Sequence, residues 1–308
     1  MSKPFAVTVD GRRYQGKLYQ QSQAASTAPR LVIVAYQPTP LAQEVLRVCI
    51  ETIERYTPEA HELWVIDNNS PAANSAWLLQ YPTVNLVYNQ TEPIPPEQRN
   101  WRAQVIGRLR QRYHQRSWGS YANAIGLEIA LQLIDPATQL LMPLHMDTMP
   151  SREGWLSYLA GKVDSLAGGT IAAAGVRLDH GRVAAGVLHV LGYLVDYQLF
   201  RQLALDFLPE LPALDVGDRV TVALRQAGYG VFACRNTFNE PAVATLLEDD
   251  SPFKALAVDR ALDDEGNVIF LHQGRGVRKS TDQQVRGVST AEWIHFANEV
   301  LLQPGKGR

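Results

Sequence analysis

Apolar runs of strand length that stop abruptly at polar residues recur through the first half of this chain, and segments of helical periodicity separate them. Residues 31–35, 63–66, 84–88 and the run ending at His145 are the strands so read. Pro40 opens a helix whose positions Leu41, Val45, Val48, Cys49, Ile53 and Tyr56 keep helical spacing, and residues 119–134 form another, stopped by Asp135-Pro136. Strands alternating with helices in this way favour an open, mostly parallel α/β sheet. Ahead of it, residues 1–20 alternate weakly and are expected to form an edge hairpin turning at Asp10-Gly11, with 21–29 a small polar linker. The second half is less regular: strands are expected at 171–176 and 231–235, an amphipathic helix at 216–227 and a final helix at 290–302.

With 308 residues, 46% of them hydrophobic, and a formal net charge of -2, the chain can bury a large core, and its bulk charge gives no reason to expect a nucleic-acid partner. Cys49 and Cys234 each lie in an apolar segment without a Cys or His at metal spacing, which predicts buried free thiols and a reducing compartment. The N-terminus lacks a signal-type apolar core. The greasiest stretch, 183–195, is too short to span a bilayer and contains His189, so a cytoplasmic protein is expected.

In open parallel sheets ligands bind outside the carboxyl ends of the strands, and three such ends are polar here. Tyr36-Gln37-Pro38 follows the first strand, Asp67-Asn68-Asn69-Ser70-Pro71 the second, and His145-Met146-Asp147 the fourth. Asp67 can accept hydrogen bonds from ribose hydroxyls or a base N–H, and Asn68 and Asn69 add donors and acceptors, although the same residues also read as turn chemistry. Side chains alternate along an extended strand, so His145 and Asp147 share a face and can grip one ion together.

These segments resemble the family 2 glycosyltransferases of the GT-A fold. The resemblance is carried by Leu31-Val-Ile-Val-Ala-Tyr36, Trp64-Val-Ile-Asp67-Asn-Asn-Ser70, Gly119-Ser-Tyr-Ala-Asn123-Ala-Ile-Gly126, and Leu144-His-Met-Asp147-Thr-Met-Pro150 followed by Trp155-Leu156, in that order. It covers roughly residues 30–160. What it implies is a GT-A-like sheet flanked by helices, a nucleotide-sugar donor, a hydroxyl acceptor and a divalent metal, Mn²⁺ or Mg²⁺. It divides the chain into the N-terminal hairpin and linker, a donor-binding half to residue 160, an acceptor-binding half at 161–250, and a closing segment at 251–308. Tyr36 and Asp67 would contact the base and ribose, Asn69 the donor, Asn123 would lie near the nucleotide, and Asp147 would be the last Asp of the metal-binding Asp-x-Asp motif.

The pattern departs at His145, which stands where the family has its first Asp. Imidazole can ligate a divalent ion, but Mg²⁺ prefers oxygen, so a His ligand shifts preference towards Mn²⁺ or another transition metal; alternatively His145 hydrogen-bonds the sugar or phosphates. GT-A enzymes commonly supply a late His to the metal, and His272 fits that role. It stands before Gln273-Gly274-Arg275-Gly276, where the glycines would let backbone N–H groups approach a diphosphate and Arg275 pair with its oxygens. A strand followed by an exposed glycine turn is the other reading of this segment.

Asp215-Val-Gly-Asp218, ahead of a helix ending in Gly228-Tyr229, is similar to the family's acidic segment before its acceptor helix. Asp218 is the first candidate for the catalytic base and Asp215 the second, although ungapped counting from Gly228 places the family's Asp on Gly217. The alternative is that Asp215 caps the helix and Asp218 sits in its first turn. Residues 97–116 carry Arg99, Arg102, Arg108, Arg110, Arg112 and Arg116 with Trp101 and Tyr113, a solvated basic segment or a loop gating the acceptor, with membrane-surface contact a further option. The stripe Trp293, Phe296, Ala297, Val300 and Leu301 suits core packing or a dimer contact. The expected activity is metal-dependent, inverting glycosyl transfer. The alternative is a nucleotide-sugar-binding protein of the same fold that has lost transfer. A methyltransferase would need a glycine-rich loop where Ala35-Tyr-Gln-Pro-Thr-Pro40 stands.

Overall fold

The computed structural model describes residues 2–96, 111–179, 186–247, 249–281 and 287–303, and of 111–117 the helical backbone alone. β1 (Lys3–Val9) and β2 (Arg12–Tyr19) form the expected antiparallel hairpin, reversing where Asp10 and Gly11 take φ of 46° and 67°. Two positive-φ residues in succession match the right-handed twist of the flanking strands. β3 (Arg30–Ala35), α1 (Pro40–Tyr56), β4 (Glu62–Asn68) and β5 (Val84–Asn89) follow close to their expected positions. α1 begins where Thr39 Oγ1 accepts the Ala42 N–H at 3.2 Å, with proline in the first turn, where its missing N–H costs nothing.

α2 (Gln111–Leu133) starts earlier than the expected 119, because the residues ahead of Gly119 are polar and carry no apolar stripe to mark a helix. The basic segment 97–116 lies outside the described residues as far as 110, and the side chains of Arg112, Tyr113 and Arg116 lie outside them too. Next come β6 (Leu140–His145), β7 (Thr148–Pro150), α3 (Trp155–Lys162), β8 (Ile171–Arg177) and β9 (Leu188–Asp196). α4 (Tyr197–Gln202), α5 (Asp218–Gln226), β10 (Gly230–Asn236), β11 (Asp259–Leu262), β12 (Val268–His272), α6 (Gly276–Thr281) and α7 (Thr290–Phe296) complete the order. No helix among the described residues is long and apolar enough to cross a membrane. The apolar stretch around His189 is instead β9, a strand buried in mid-sheet.

The strands run β1-β2-β5-β4-β3-β6-β9-β8-β10-β11-β12-β7. The α/β architecture is the one expected: β5, β4, β3 and β6 are mutually parallel, and antiparallel strands extend this centre on both sides. Alternate residues of β3 point into different cores: Leu31, Ile33 and Ala35 meet α1 on one face, while Val32 meets the α2 side with Ile125 and Ile129. Trp293, Phe296, Ala297 and Leu301 are buried with the α1 face, so the C-terminal stripe packs inward as expected, and both cysteines are free and buried.

One connection decides where the site lies. β7 ends the strand order, yet Met146 and Asp147 alone separate it from β6 in the centre. The limb β10-β11-β12-β7 therefore curls back until its far end meets the carboxyl end of β6. Phe270 of β12 lies over Gly192, which faces Leu144 across the β6–β9 pair, and stacks on Trp155 with centroids 5.9 Å apart. A Cβ on Gly192 would approach Phe270 Cζ to 2.8 Å. Replacing Gly192 with Ala should therefore cost about 1–3 kcal/mol by overpacking, read as a lowered midpoint of chemical denaturation. An unchanged midpoint would show that this contact does not clamp the returning limb.

Candidate functional site

Backbone register brings two strand ends together before any side chain is considered. Ala35 of β3 pairs with Asp67 on one side, and Val34 pairs with His145 on the other. Strands lie about 4.8 Å apart, so the two tips stand roughly 10 Å from each other at one edge of the sheet.

Asp67 is 2% exposed and receives the Gln37 Nε2 donor at 3.4 Å and a hydrogen bond from Ser70. Gln37 is itself fixed, accepting Trp77 Nε1 on its Oε1 at 2.8 Å and donating its N–H to Ser70 Oγ at 2.8 Å. Burial pushes the Asp67 carboxyl up to about 6, and the Ser70 and Gln37 hydrogen bonds only partly counter it. Beside it Tyr36 is 46% exposed, and Asn69 is exposed at φ 67°, a left-handed turn position that Asn tolerates. The turn reading of this segment thus holds at Asn69. Asn68 faces inward, its Nδ2 donating to the Ala122 carbonyl at 2.6 Å and its Oδ1 accepting from Asn89 at 2.7 Å.

At the second tip His145, Asp147 and His272 each offer one ligand atom within 4.8 Å of the others. Asp147 Oδ1 lies 3.8 Å from His145 Nδ1 and 3.7 Å from His272 Nε2. Its Oδ2 accepts the Gly276 N–H at 2.7 Å, and its carbonyl accepts the Gln273 N–H at 3.0 Å. The close approach needs glycine, because a Cβ at position 276 would fall 2.6 Å from Asp147 Cβ. Each imidazole also has an outer partner: the Asn123 side-chain amide lies 3.2 Å from His145 Nε2, and Asp259 Oδ2 lies 3.4 Å from His272 Nδ1. His189 presents its ring edge-on to His145 with centroids 5.3 Å apart.

Burial would raise the Asp147 carboxyl, but His272, His145 and the Gly276 N–H outweigh it and hold the group below the usual carboxylate range. Burial lowers His145 to about 4, so at neutral pH its ring is uncharged and keeps a lone pair. Burial also resists charging His272, yet Asp147 and Asp259 overcome it and raise that ring. One anionic oxygen and two imidazole nitrogens facing a common point form a donor set suited to a divalent transition ion. Lys279, one turn into α6, is 6% exposed and donates to the Gln273 carbonyl at 2.8 Å.

The remaining expected residues divide. Asn123 reaches the cluster through His145, and Arg275 is exposed at φ 63° on the loop that supplies Gly276. Asp218 is 2% exposed, lies in the first turn of α5 after Gly217, accepts the Asp215 N–H at 2.7 Å, and acts electrostatically on buried Tyr193. Asp215 is half-buried and close enough for its charge to favour protonation of His145. The helix cap is Gly217 and not Asp215. Sequence reasoning missed Asp259, His189 and Lys279. Asp259 is paired across the β11–β12 ladder with His272, a register no local pattern displays.

No family model matches this chain, and no curated protein matches it in sequence. Among solved structures it is similar to the galactosyltransferase LgtC in complex with donor and acceptor sugar analogs, with a TM-score of 0.47 and 11% identity over 90% of this chain and 98% of that one. It is also similar to mouse xyloside xylosyltransferase 1 in its apo form, at TM-score 0.35 and 10% identity over 57% of this chain and 69% of that one. A 4-diphosphocytidyl-2C-methyl-D-erythritol synthase gives 0.37 and 11% over 68% and 89%. At such identities and scores no chemistry passes from those proteins to this one.

The raised Asp67 carboxyl has a consequence for stability. A group whose folded pKa lies above its unfolded value takes up a proton more readily when folded, so its contribution falls as pH rises from about 4 through about 6. His145, lowered by burial, works in the opposite direction over a similar window, so the parent's own pH profile mixes the two. Asp67→Asn isolates the first. It should stabilise the protein at pH 7.5 by about 3 kcal/mol, with the gain shrinking as pH falls below 6. Equal gains at pH 7.5 and pH 5 in denaturant titrations would contradict a buried, strained charge at this tip.

Proposed function

We propose that this chain is a metal-dependent glycosyltransferase that moves a sugar from a nucleotide-sugar donor to an acceptor hydroxyl. The observation that supports this most strongly is the shared β3 register, which sets the Asp67 tip and the His145-Asp147-His272 cluster at one edge of the sheet. A nucleoside diphosphate fits such a span: the nucleoside lies at Tyr36 and Asp67, and the diphosphate reaches towards Asp147. Tyr36 offers an exposed ring for stacking, Asp67 accepts a base N–H or ribose hydroxyl, and Asn69 lines the rim.

His145, Asp147 and His272 would hold the ion, which when bound offsets the negative charge that grows on the departing diphosphate. Arg275, exposed on the loop between His272 and Gly276, pairs with phosphate oxygens, and Lys279 adds positive charge behind the same loop. For the acceptor proton we assign Asp215, reversing the order drawn from sequence. Asp218 commits a carboxylate oxygen to the Asp215 N–H at 2.7 Å and lies towards buried Tyr193, whereas Asp215 is half-buried and close enough to His145 for its charge to act on that ring. A carboxylate base acting on the attacking hydroxyl corresponds to a single displacement with inversion. The engagement of Asp218, the base expected from sequence, by the Asp215 N–H favours a second reading, a donor-binding protein without transfer.

Nucleoside diphosphates should stabilise the protein in a Mn²⁺-dependent manner, by about 2.7 kcal/mol at a hundredfold excess over Kd, and Asp147→Ala should remove the metal dependence. Nucleotide binding that keeps its Mn²⁺ dependence in Asp147→Ala would overturn the metal assignment. Given a turning-over donor and acceptor pair, Asp215→Asn should lower kcat by roughly 10² to 10⁴ with donor affinity unchanged. Full turnover in that variant would return the role to Asp218, and donor binding without transfer in the parent would establish the second reading.

A further inference from the structure

The outer partners of the two histidines carry an inference that rests on the metal reading above and deepens it. Each ring turns one nitrogen to Asp147 and the other to a polar side chain behind it. His145 directs Nδ1 inward and Nε2 to Asn123 at 3.2 Å; His272 directs Nε2 inward and Nδ1 to Asp259 at 3.4 Å. A neutral imidazole has one N–H and one lone pair, so the outer partner decides which nitrogen can ligate. Asp259 as a carboxylate only accepts and lies nearer, at 3.4 Å against 3.7 Å for Asp147, so in the neutral ring the hydrogen sits on Nδ1 of His272 and the lone pair on Nε2, facing Asp147.

Asn123 is different, because its amide offers a donor at one end and an acceptor at the other, and the two exchange by a half-turn that moves no other heavy atom. With Nδ2 against Nε2, as the structure orients it, the ring hydrogen stays on Nδ1 and points at Asp147. With Oδ1 there, Nε2 carries the hydrogen and Nδ1 becomes a ligand. The backbone that carries this amide is anchored, since the carbonyl of the preceding residue, Ala122, accepts Asn68 Nδ2 at 2.6 Å.

We propose that Asn123 and Asp259 set the tautomers of His145 and His272, so that both rings ligate and the centre takes a nitrogen-preferring first-row transition ion in place of magnesium. Mg²⁺ demands oxygen ligands in near-octahedral array and gives up its water reluctantly, whereas affinity for imidazole rises from Mn²⁺ through Co²⁺ and Ni²⁺. Asn123 is a positioning residue in this scheme and touches no substrate.

The test titrates the full metal-free chain with Co²⁺ alone, followed by its visible absorption, with Zn²⁺, Mn²⁺ and Mg²⁺ in competition. Co²⁺ and Zn²⁺ should bind about 100-fold or more tighter than Mg²⁺, with Mn²⁺ between, and His145→Asp should narrow that ratio about tenfold. Asn123→Leu and Asp259→Leu should each weaken Co²⁺ by about 10- to 100-fold, while Asn123→Asp, which can only accept, keeps it tight. In ¹⁵N spectra of ring-labelled protein, His145 should move its hydrogen from Nδ1 to Nε2 when diamagnetic Zn²⁺ binds. An Asn123→Leu protein that folds and binds Co²⁺ as tightly as the parent overturns the proposal. Mg²⁺ binding as tightly as Co²⁺ overturns the selectivity while leaving a metal-dependent transferase intact. If no divalent ion binds yet nucleoside diphosphates still stabilise the chain, the inference and the metal part of the functional reading fall together.

Discussion

The Asp147 carboxylate is 5% exposed, and the surrounding structure is arranged so that it can remain charged there. Taking a carboxylate out of water costs several kcal/mol even after relaxation, so it must be met by hydrogen bonds or positive charge. β6 delivers the residue with His145 beside it, but the rest of its compensation comes from a part of the chain more than a hundred residues later, the His272 ring and the Gly276 N–H at 2.7 Å, while the Gln273 N–H holds its backbone carbonyl. For those groups to arrive, β12 must pair with β7, aligning His272 with Thr148. The curl of the sheet and the electrostatics of its closing turn are therefore one constraint seen at two scales.

Two acids on β4 are buried at opposite ends of the strand in different electrostatic settings. Glu62, at its start, is paired with Arg30 at 3.1 Å, accepts Trp64 Nε1 at 2.8 Å and ties down the Ala24 N–H of the linker at 2.8 Å. Arg30 in turn holds the carbonyls of Ala24, Ala25 and Ala28. This network anchors the entry to β3, and breaking one member would leave a buried charge behind. Asp67, at the other end, is met by the neutral donors Gln37 and Ser70 and is left with a raised pKa. Among the described residues no cation pairs with it, and in the function proposed above the donor supplies the missing hydrogen bonds.

Much of this arrangement was legible in the sequence because it is local. Thr39-Pro40 marks a helix start and Asp10-Gly11 a hairpin turn; strand alternation predicts the nearness of His145 and Asp147, but β6 ends at His145 and it is the turn at Met146-Asp147 that brings the two side chains together. The carboxyl ends of β3, β4 and β6 could be named because each apolar run breaks at polar residues. What stayed hidden depends on long-range register. β7 and β11 are too short to show a period, so the return of β12, and with it Asp259 opposite His272, had no local signal. The choice between Asp215 and Asp218 turned on a single residue. Gly217 caps α5 at φ 73° with Val190 and Phe207 packed around it, and that packing sends the Asp218 side chain inward. No count along the chain contains that information.

The account stands on one spatial claim, that a nucleoside at Asp67 and a cation at Asp147 share a single pocket across the β3 end. Crystals grown with a nucleoside diphosphate and Mn²⁺, with anomalous scattering recorded at the manganese edge, measure this directly. The account predicts one strong peak within bonding distance of Asp147 and both rings, contiguous with diphosphate density that leads to a nucleoside against Tyr36 and Asp67. A peak away from Asp147, or a nucleotide bound on another face of the sheet, would contradict it.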